Sequence, residues 1–320
     1  MDSTNGRVQP DEQDRSDSDS LLARVWRTSE GRPRAIWRIL VPVAVFASLG
    51  IGLGRLIEAV GPDTVLVTET NLALLAGTVG AVITECRLAD RSLADLGLEP
   101  SGAWVRDLLV GIVFGVVFQL AVTAAWLAVG DLSFTATLQP GIGTGVVSLT
   151  ALVIAVVVKF AVVGLWEEYV FRSLSIRNVA QGLAGRGVSR RTAVGASLLG
   201  VGAVFGVIHA FGAAVAFTNP VFGAVQAFAS VSYFVLAYVV TGRLGLSVGI
   251  HFVSNAWVRI VVGEPGTGYP KLVAAERVAP GLGETSVFLL PTVLLMGLIL
   301  AWGRYTDGDV ASVSEQFVGP

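Results

Sequence analysis

TAVGASLLGVGAVFGVIHAFGAAVAFTNPVFGAVQAFASVSYFVLAYVVTG occupies residues 192–242 and carries no Asp, Glu, Lys or Arg over 51 consecutive positions. A helix crossing a bilayer needs about 20 apolar residues, each adding about 1.5 Å toward about 30 Å of hydrocarbon. The run is too long for one crossing and fits two, with the break at Thr218-Asn219-Pro220. Outward from it, six more apolar stretches follow the same rule: 36–56, 65–84 with Glu69 inside, 108–130, 146–166 with Lys159, 244–262 with Arg259, and 285–303. The fold class expected is all-α, a polytopic transmembrane helix bundle of about eight spans.

Composition agrees. Of 320 residues, 53% are hydrophobic and only 14% charged, and mean hydropathy is +0.71. Soluble domains carry about 25% charged residues. The deficit excludes a disordered chain, a basic nucleic-acid binder and an ordinary cytosolic enzyme. The 38 glycines suit close helix packing in lipid. Cys86 is the lone cysteine, so no intrachain disulfide, cysteine metal cluster or redox pair is available, and an inert thiol is expected. The polar residues 1–34 read as a disordered tail; the loop 264–284 and the terminus 304–320 carry no functional signal.

Orientation follows from Arg and Lys, which favour the cytoplasmic side. With the N-terminus inside, 17 of the 22 basic residues fall on the cytoplasmic side and 3 on the other, with Lys159 and Arg259 inside spans. This implies an N-in, C-in integral membrane protein; separately, the location expected is the plasma membrane of a prokaryote.

Ionisable groups at membrane depth are costly and mark functional positions. Here they are Glu69, Lys159, Glu167, Glu168, His209, His251 and Arg259. Both histidines of the chain are among them. Glu167 and Glu168 project about 100° apart on a helix, so one carboxylate can face the bundle while the other pairs with Arg172 four residues on. A carboxylate in an apolar cavity suits a general base. Phe205 precedes His209 by one turn. Asn255 follows His251 by one turn and shares its face, so both can donate to one oxygen. Each feature alone also fits interhelical hydrogen bonding or a charged helix end. Depth along the helices sets a condition for a single site: span four must tilt or run past Glu168, and span five must begin later than Thr192.

The ordered pattern is Glu167-Glu168-x-x-x-Arg172, Phe205-x-x-x-His209 and His251-x-x-x-Asn255, each on its own helix. It resembles the CPBP family of intramembrane proteases, which includes the CAAX prenyl protease 2 type and the bacterial Abi proteins. The resemblance covers residues 145–262 as a catalytic core, with N-terminal transmembrane helices at 35–144 and a loop, last helix and tail at 263–320. It implies hydrolysis of a peptide bond in a membrane-embedded or lipidated substrate, within the lipid bilayer and with no nucleic acid involved. Glu167 would take the proton from the attacking water, helped by His209, while His251 and Asn255 bind the oxyanion. Glu168 and Arg172 would form a supporting ion pair that fixes the helix end and orients Glu167, with Phe205 also supporting. Two chemistries remain open. Glu167, His209 and His251 would be the ligands if zinc is used; the lack of an H-E-x-x-H pair favours a metal-free glutamate mechanism. Two other functions are compatible with buried polar groups: a non-catalytic scaffold or immunity protein, and a proton-coupled transporter.

Overall fold

A computed structural model of the chain describes residues 24–60, 66–130, 132–139, 149–216, 220–263, 271–277 and 282–306. The apolar stretches become α1 (Ala35–Val60), α2 (Leu66–Ala89), α3 (Gly102–Val129), α4 (Leu149–Glu168), α6 (Arg190–Ala216), α7 (Pro220–Thr241), α8 (Gly245–Ala256) and α9 (Leu282–Thr306); a short polar helix, α5 (Arg177–Ala184), lies between α4 and α6. Among the described residues α1, α2, α3, α6 and α9 are long and apolar enough to cross a bilayer, and the protein is an integral membrane protein. The break expected at Thr218-Asn219-Pro220 separates α6 from α7. Pro220 opens α7, where its missing N–H costs nothing, while 218 and 219 lie outside the described residues.

Helix α3 shows the inside-out logic of a bundle in lipid. Ser101 caps its start, accepting a hydrogen bond from the Trp104 N–H, and Gly130 ends it at φ 81°. Leu109, Val113, Val117 and Leu120 form an exposed stripe, each about half exposed or more, while Gly111, Gly115, Phe118, Val122 and Trp126 face inward. In water such a stripe would drive aggregation; against acyl chains it is solvated. The buried Asp107 carboxylate holds three elements together. It accepts from Arg243 Nε at 2.6 Å and from Trp302 Nε1 at 3.0 Å.

Glycines set how closely α8 approaches its neighbours. A Cβ on Gly115 would lie 2.8 Å from Val253 Cβ, and one on Gly249 would lie 2.8 Å from the Ile112 backbone nitrogen. On the other flank, Gly164 of α4 lies against the Phe252 nitrogen and the His251 Cβ. Because the obstacles at Gly249 are backbone atoms, Gly249→Val should displace α8 and cost about 1–3 kcal/mol or more. Gly52→Val, with open space around it, should change stability by no more than about 0.5 kcal/mol. Thermal unfolding of both variants in detergent checks the contrast; equal melting temperatures would contradict it.

Three features depart from the sequence expectation. A small sheet of order β1-β3-β2 joins β1 (Leu132–Gln139), β2 (Val262–Gly263) and β3 (Lys271–Arg277); β1 runs antiparallel and β2 parallel to β3, with an irregularity at Phe134/Ala136. The loop expected at 264–284 thus carries a strand and the start of α9. Residues 24–34, assigned to the disordered tail, form a turn with a bridge between Arg27 and Pro33, and Trp26 stacks on Trp37 at 5.0 Å. The two indole rings supply the apolar contact that the average polarity of the tail conceals. Last, α6 begins at Arg190, not later than Thr192, with Ser189 accepting from the Thr192 N–H at its start.

Candidate active site

The helix that carries the carboxylate doublet does not end there. At Tyr169 the chain passes from α into a π-helical segment, Tyr169–Ile176, and returns to α in α5, so one helical rod runs from Leu149 to Ala184. π segments are rare and recur at functional positions. The Glu168–Arg172 pair is therefore in mid-helix, which corrects the expectation that it fixes a helix end. It also removes the depth conflict: span four runs past Glu168, and α6 need not start late to bring His209 alongside.

Glu167 meets both imidazoles. Its Oε2 lies 3.4 Å from His209 Nε2 and 3.5 Å from His251 Nε2, joining α4, α6 and α8 at one oxygen. Both separations are at the outer limit of a direct hydrogen bond, and Oε2 is buried with no hydrogen-bond partner. The far side of each ring is fixed. His209 Nδ1 lies 2.9 Å from the Phe205 carbonyl oxygen, which only accepts, so Nδ1 carries a proton. His251 Nδ1 lies 2.7 Å from Glu168 Oε1 and donates to that carboxylate. Both Nε2 atoms are thereby turned toward Glu167.

Glu168 is completely buried and Arg172 nearly so. Arg172 Nε lies 3.2 Å from Glu168 Oε2, an ion pair whose atoms are not aligned for a hydrogen bond. The guanidinium is instead held by rings. Its Cζ sits 4.4 Å over Phe205 and 5.0 Å over Phe234. Phe205 in turn stacks on His209 at 3.9 Å and Phe234 on His251 at 4.6 Å. The result is a five-member stack, His209–Phe205–Arg172–Phe234–His251, in which one cation between two phenyl faces sets the spacing of the two imidazoles. Phe205 thus lies between the Arg172 guanidinium and the His209 ring. Phe234 was not read from the sequence: inside an uninterrupted apolar run one more Phe offers no contrast.

Asn255 lies one turn beyond His251 on α8 and is half-buried. The side chains of Glu167 and His209 are 22% and 39% exposed against 6% for His251, so the site is reached from the His209 side. Of the other intramembrane charges, Arg259 is exposed in a second π segment, Trp257–Val261, and Lys159 is half-buried on α4. The Glu69 side chain lies outside the described residues. Among the described residues no three His, Cys, Asp or Glu side chains are placed to hold a metal ion.

No curated protein and no solved structure matches the chain. Residues 149–257 match a family model described as type II CAAX prenyl endopeptidase Rce1-like. That segment runs from α4 to the first residue of the second π segment and contains Glu167, Glu168, Arg172, Phe205, His209, Phe234, His251 and Asn255. The carboxylate doublet, both histidines and the asparagine of this polytopic helical bundle all fall inside residues 149–257, the segment that is similar to the type II CAAX prenyl endopeptidase Rce1-like family.

Proposed function

We propose that the chain is an intramembrane endopeptidase that cuts a membrane-associated, prenylated CAAX-type peptide with a water activated by Glu167. The observation that carries this reading is the convergence of His209 Nε2 and His251 Nε2 on one oxygen of Glu167. Water attacks the scissile carbonyl while its proton passes to the Glu167 carboxylate; that proton then goes to the leaving amine as the C–N bond breaks. His209, held by the Phe205 carbonyl, orients the water through Nε2. Asn255 donates to the tetrahedral oxyanion through its carboxamide. His251 can donate to the same oxygen only as imidazolium, because Nδ1–H is already committed to Glu168. Glu168 is the counter-charge that such an imidazolium needs, so its role is to hold His251, a different task from the orientation of Glu167 expected from the sequence. Donors of this kind act most strongly where water is excluded.

Metal-free chemistry is the reading favoured by the motif, which lacks an H-E-x-x-H pair; Glu167, His209 and His251 would be the ligands if zinc is used. The basic-residue asymmetry supports N-in, C-in topology with eight spans and a site served from the cytoplasm; the location proposed is the plasma membrane of a prokaryote.

The test uses the full chain in liposomes with peptides ending in a CAAX sequence, prenylated and unprenylated, under strict chelation, and mass spectrometry of the products. Cleavage of the prenylated peptide at one bond, undiminished by the chelator, is expected. No cleavage of either peptide would overturn the protease reading. Loss on chelation with specific restoration by zinc would overturn the metal-free mechanism, and equal cleavage of both peptides would overturn the lipidated substrate.

A further inference from the structure

We propose that Glu85 and Phe46, which precede the matched segment, are positioning residues that lock the rotation of the helix turn bearing Glu167; the inference rests on the proteolytic reading above. Residues 166–169 make about one turn of helix, so Trp166 and Tyr169 share the face opposite the carboxylates. That back face is gripped twice. The Trp166 ring lies flat on Phe46 of α1, with centroids 3.3 Å apart and planes at 7°. Gly77 of α2 makes room for this: a Cβ there would come within 2.8 Å of the Phe46 ring. The Tyr169 hydroxyl donates to Glu85 Oε2 on α2 at 2.8 Å.

Glu85 is itself held rigidly. It is fully buried, and its other oxygen accepts from Arg91 Nη1 at 2.5 Å and from Asn178 Nδ2 at 3.1 Å. Arg91 also donates to Asn178 Oδ1 and to Gln181 Oε1. Tyr169 and Asn178 thus bracket the π segment, and both are tied to the same carboxylate. A π turn forgoes regular α hydrogen bonding and persists only where its surroundings fix it. Glu85 fixes it at its first residue, immediately after the doublet. Loosening either grip lets the turn rotate, and misplacement by about 1 Å can cost as much as a hundredfold in rate.

Tyr169→Phe removes one hydroxyl and keeps the ring. In the full chain in liposomes, with the prenylated CAAX peptide as probe, kcat per folded molecule should fall about tenfold or more while KM stays within about twofold, and melting should drop by no more than the loss of one hydrogen bond to a buried carboxylate explains. A purely structural role would lower melting and activity together and leave kcat per folded molecule unchanged. Phe46→Ala should lower kcat in the same way and Phe46→Tyr, which preserves the stack, should restore it. These two variants carry the test if Tyr169→Phe fails to fold. A second readout needs no substrate: the side-chain carboxyl NMR signal of Glu167 in isotope-labelled glutamate samples, assigned by its loss in Glu167→Gln, should shift in Tyr169→Phe. Cleavage and that signal both unchanged would overturn the clamp. A shifted signal without any wild-type cleavage would keep the clamp and overturn the protease reading.

Discussion

Glu167→Gln is expected to lower kcat by about a hundredfold to ten-thousandfold, the usual share of a general base, while the protein folds and melts as before. Gln has the shape of Glu but accepts no proton from water at neutral pH. Glu167 Oε2 makes no hydrogen bond to the protein, and its side chain is 22% exposed, so little of the structure depends on its charge. KM should stay close to wild type, because the carboxylate acts on the water, not on the binding of the peptide. The check is the split between kcat and KM together with thermal unfolding. A variant that cuts at the wild-type rate would remove Glu167 from the chemistry; one that merely unfolds would show the residue to be structural.

Glu168→Ala should have the opposite profile, with the larger effect on the fold. The carboxylate is buried between Arg172 at 3.2 Å and His251 at 2.7 Å. Its removal strands a buried guanidinium whose ion pair among the described residues is with Glu168, and leaves the His251 Nδ1–H without an acceptor. Breaking one side of a buried ion pair costs about 3–5 kcal/mol, a large share of the roughly 5–15 kcal/mol that keeps a typical protein folded. The aromatic faces of Phe205 and Phe234 offset part of this, by about 2 kcal/mol. Thermal unfolding should therefore show a strong loss for Glu168→Ala. Replacing both partners, Glu168→Leu with Arg172→Met, should recover much of the stability but not the activity. Wild-type melting of Glu168→Ala would show that the pair contributes nothing to the bundle.

Much of this architecture is written in the chain because lipid imposes a simple grammar. A span must be apolar, so the expected stretches and the observed helices coincide closely, and a charge inside a span stands out against its surroundings. Glu167, Glu168, His209 and His251 were legible for that reason. Groups near span boundaries were not. Glu85 and Asp107 are both fully buried, yet each lies one residue outside the stretch assigned to span two or span three, where a charge excites no suspicion. Helix ends read from sequence are uncertain by a few residues, and here that margin concealed the two carboxylates that hold the bundle together. The π segment had no sequence signal either, since it is fixed by contacts from Glu85 and by the packing of Arg172, not by local propensity. The strand β1 did have one: Leu132, Phe134, Ala136 and Leu138 alternate with Ser133, Thr135, Thr137 and Gln139, a period of two that the search for long apolar runs passed over. Phe234 shows the reverse limit. Its ring pairs with His251 across helices, and only the three-dimensional arrangement distinguishes it from the neighbouring Tyr233.

The central claim is that this protein directs a water molecule at a peptide bond through Glu167. It is tested most directly by incubating the reconstituted full chain with the prenylated peptide in water enriched in heavy oxygen, with the chelator present, and weighing the fragments. The account predicts a new C-terminal carboxylate carrying heavy oxygen from the solvent in the wild-type sample and intact peptide in the Glu167→Gln sample. Intact peptide in both, or the same labelled fragment at the same rate in both, would contradict it.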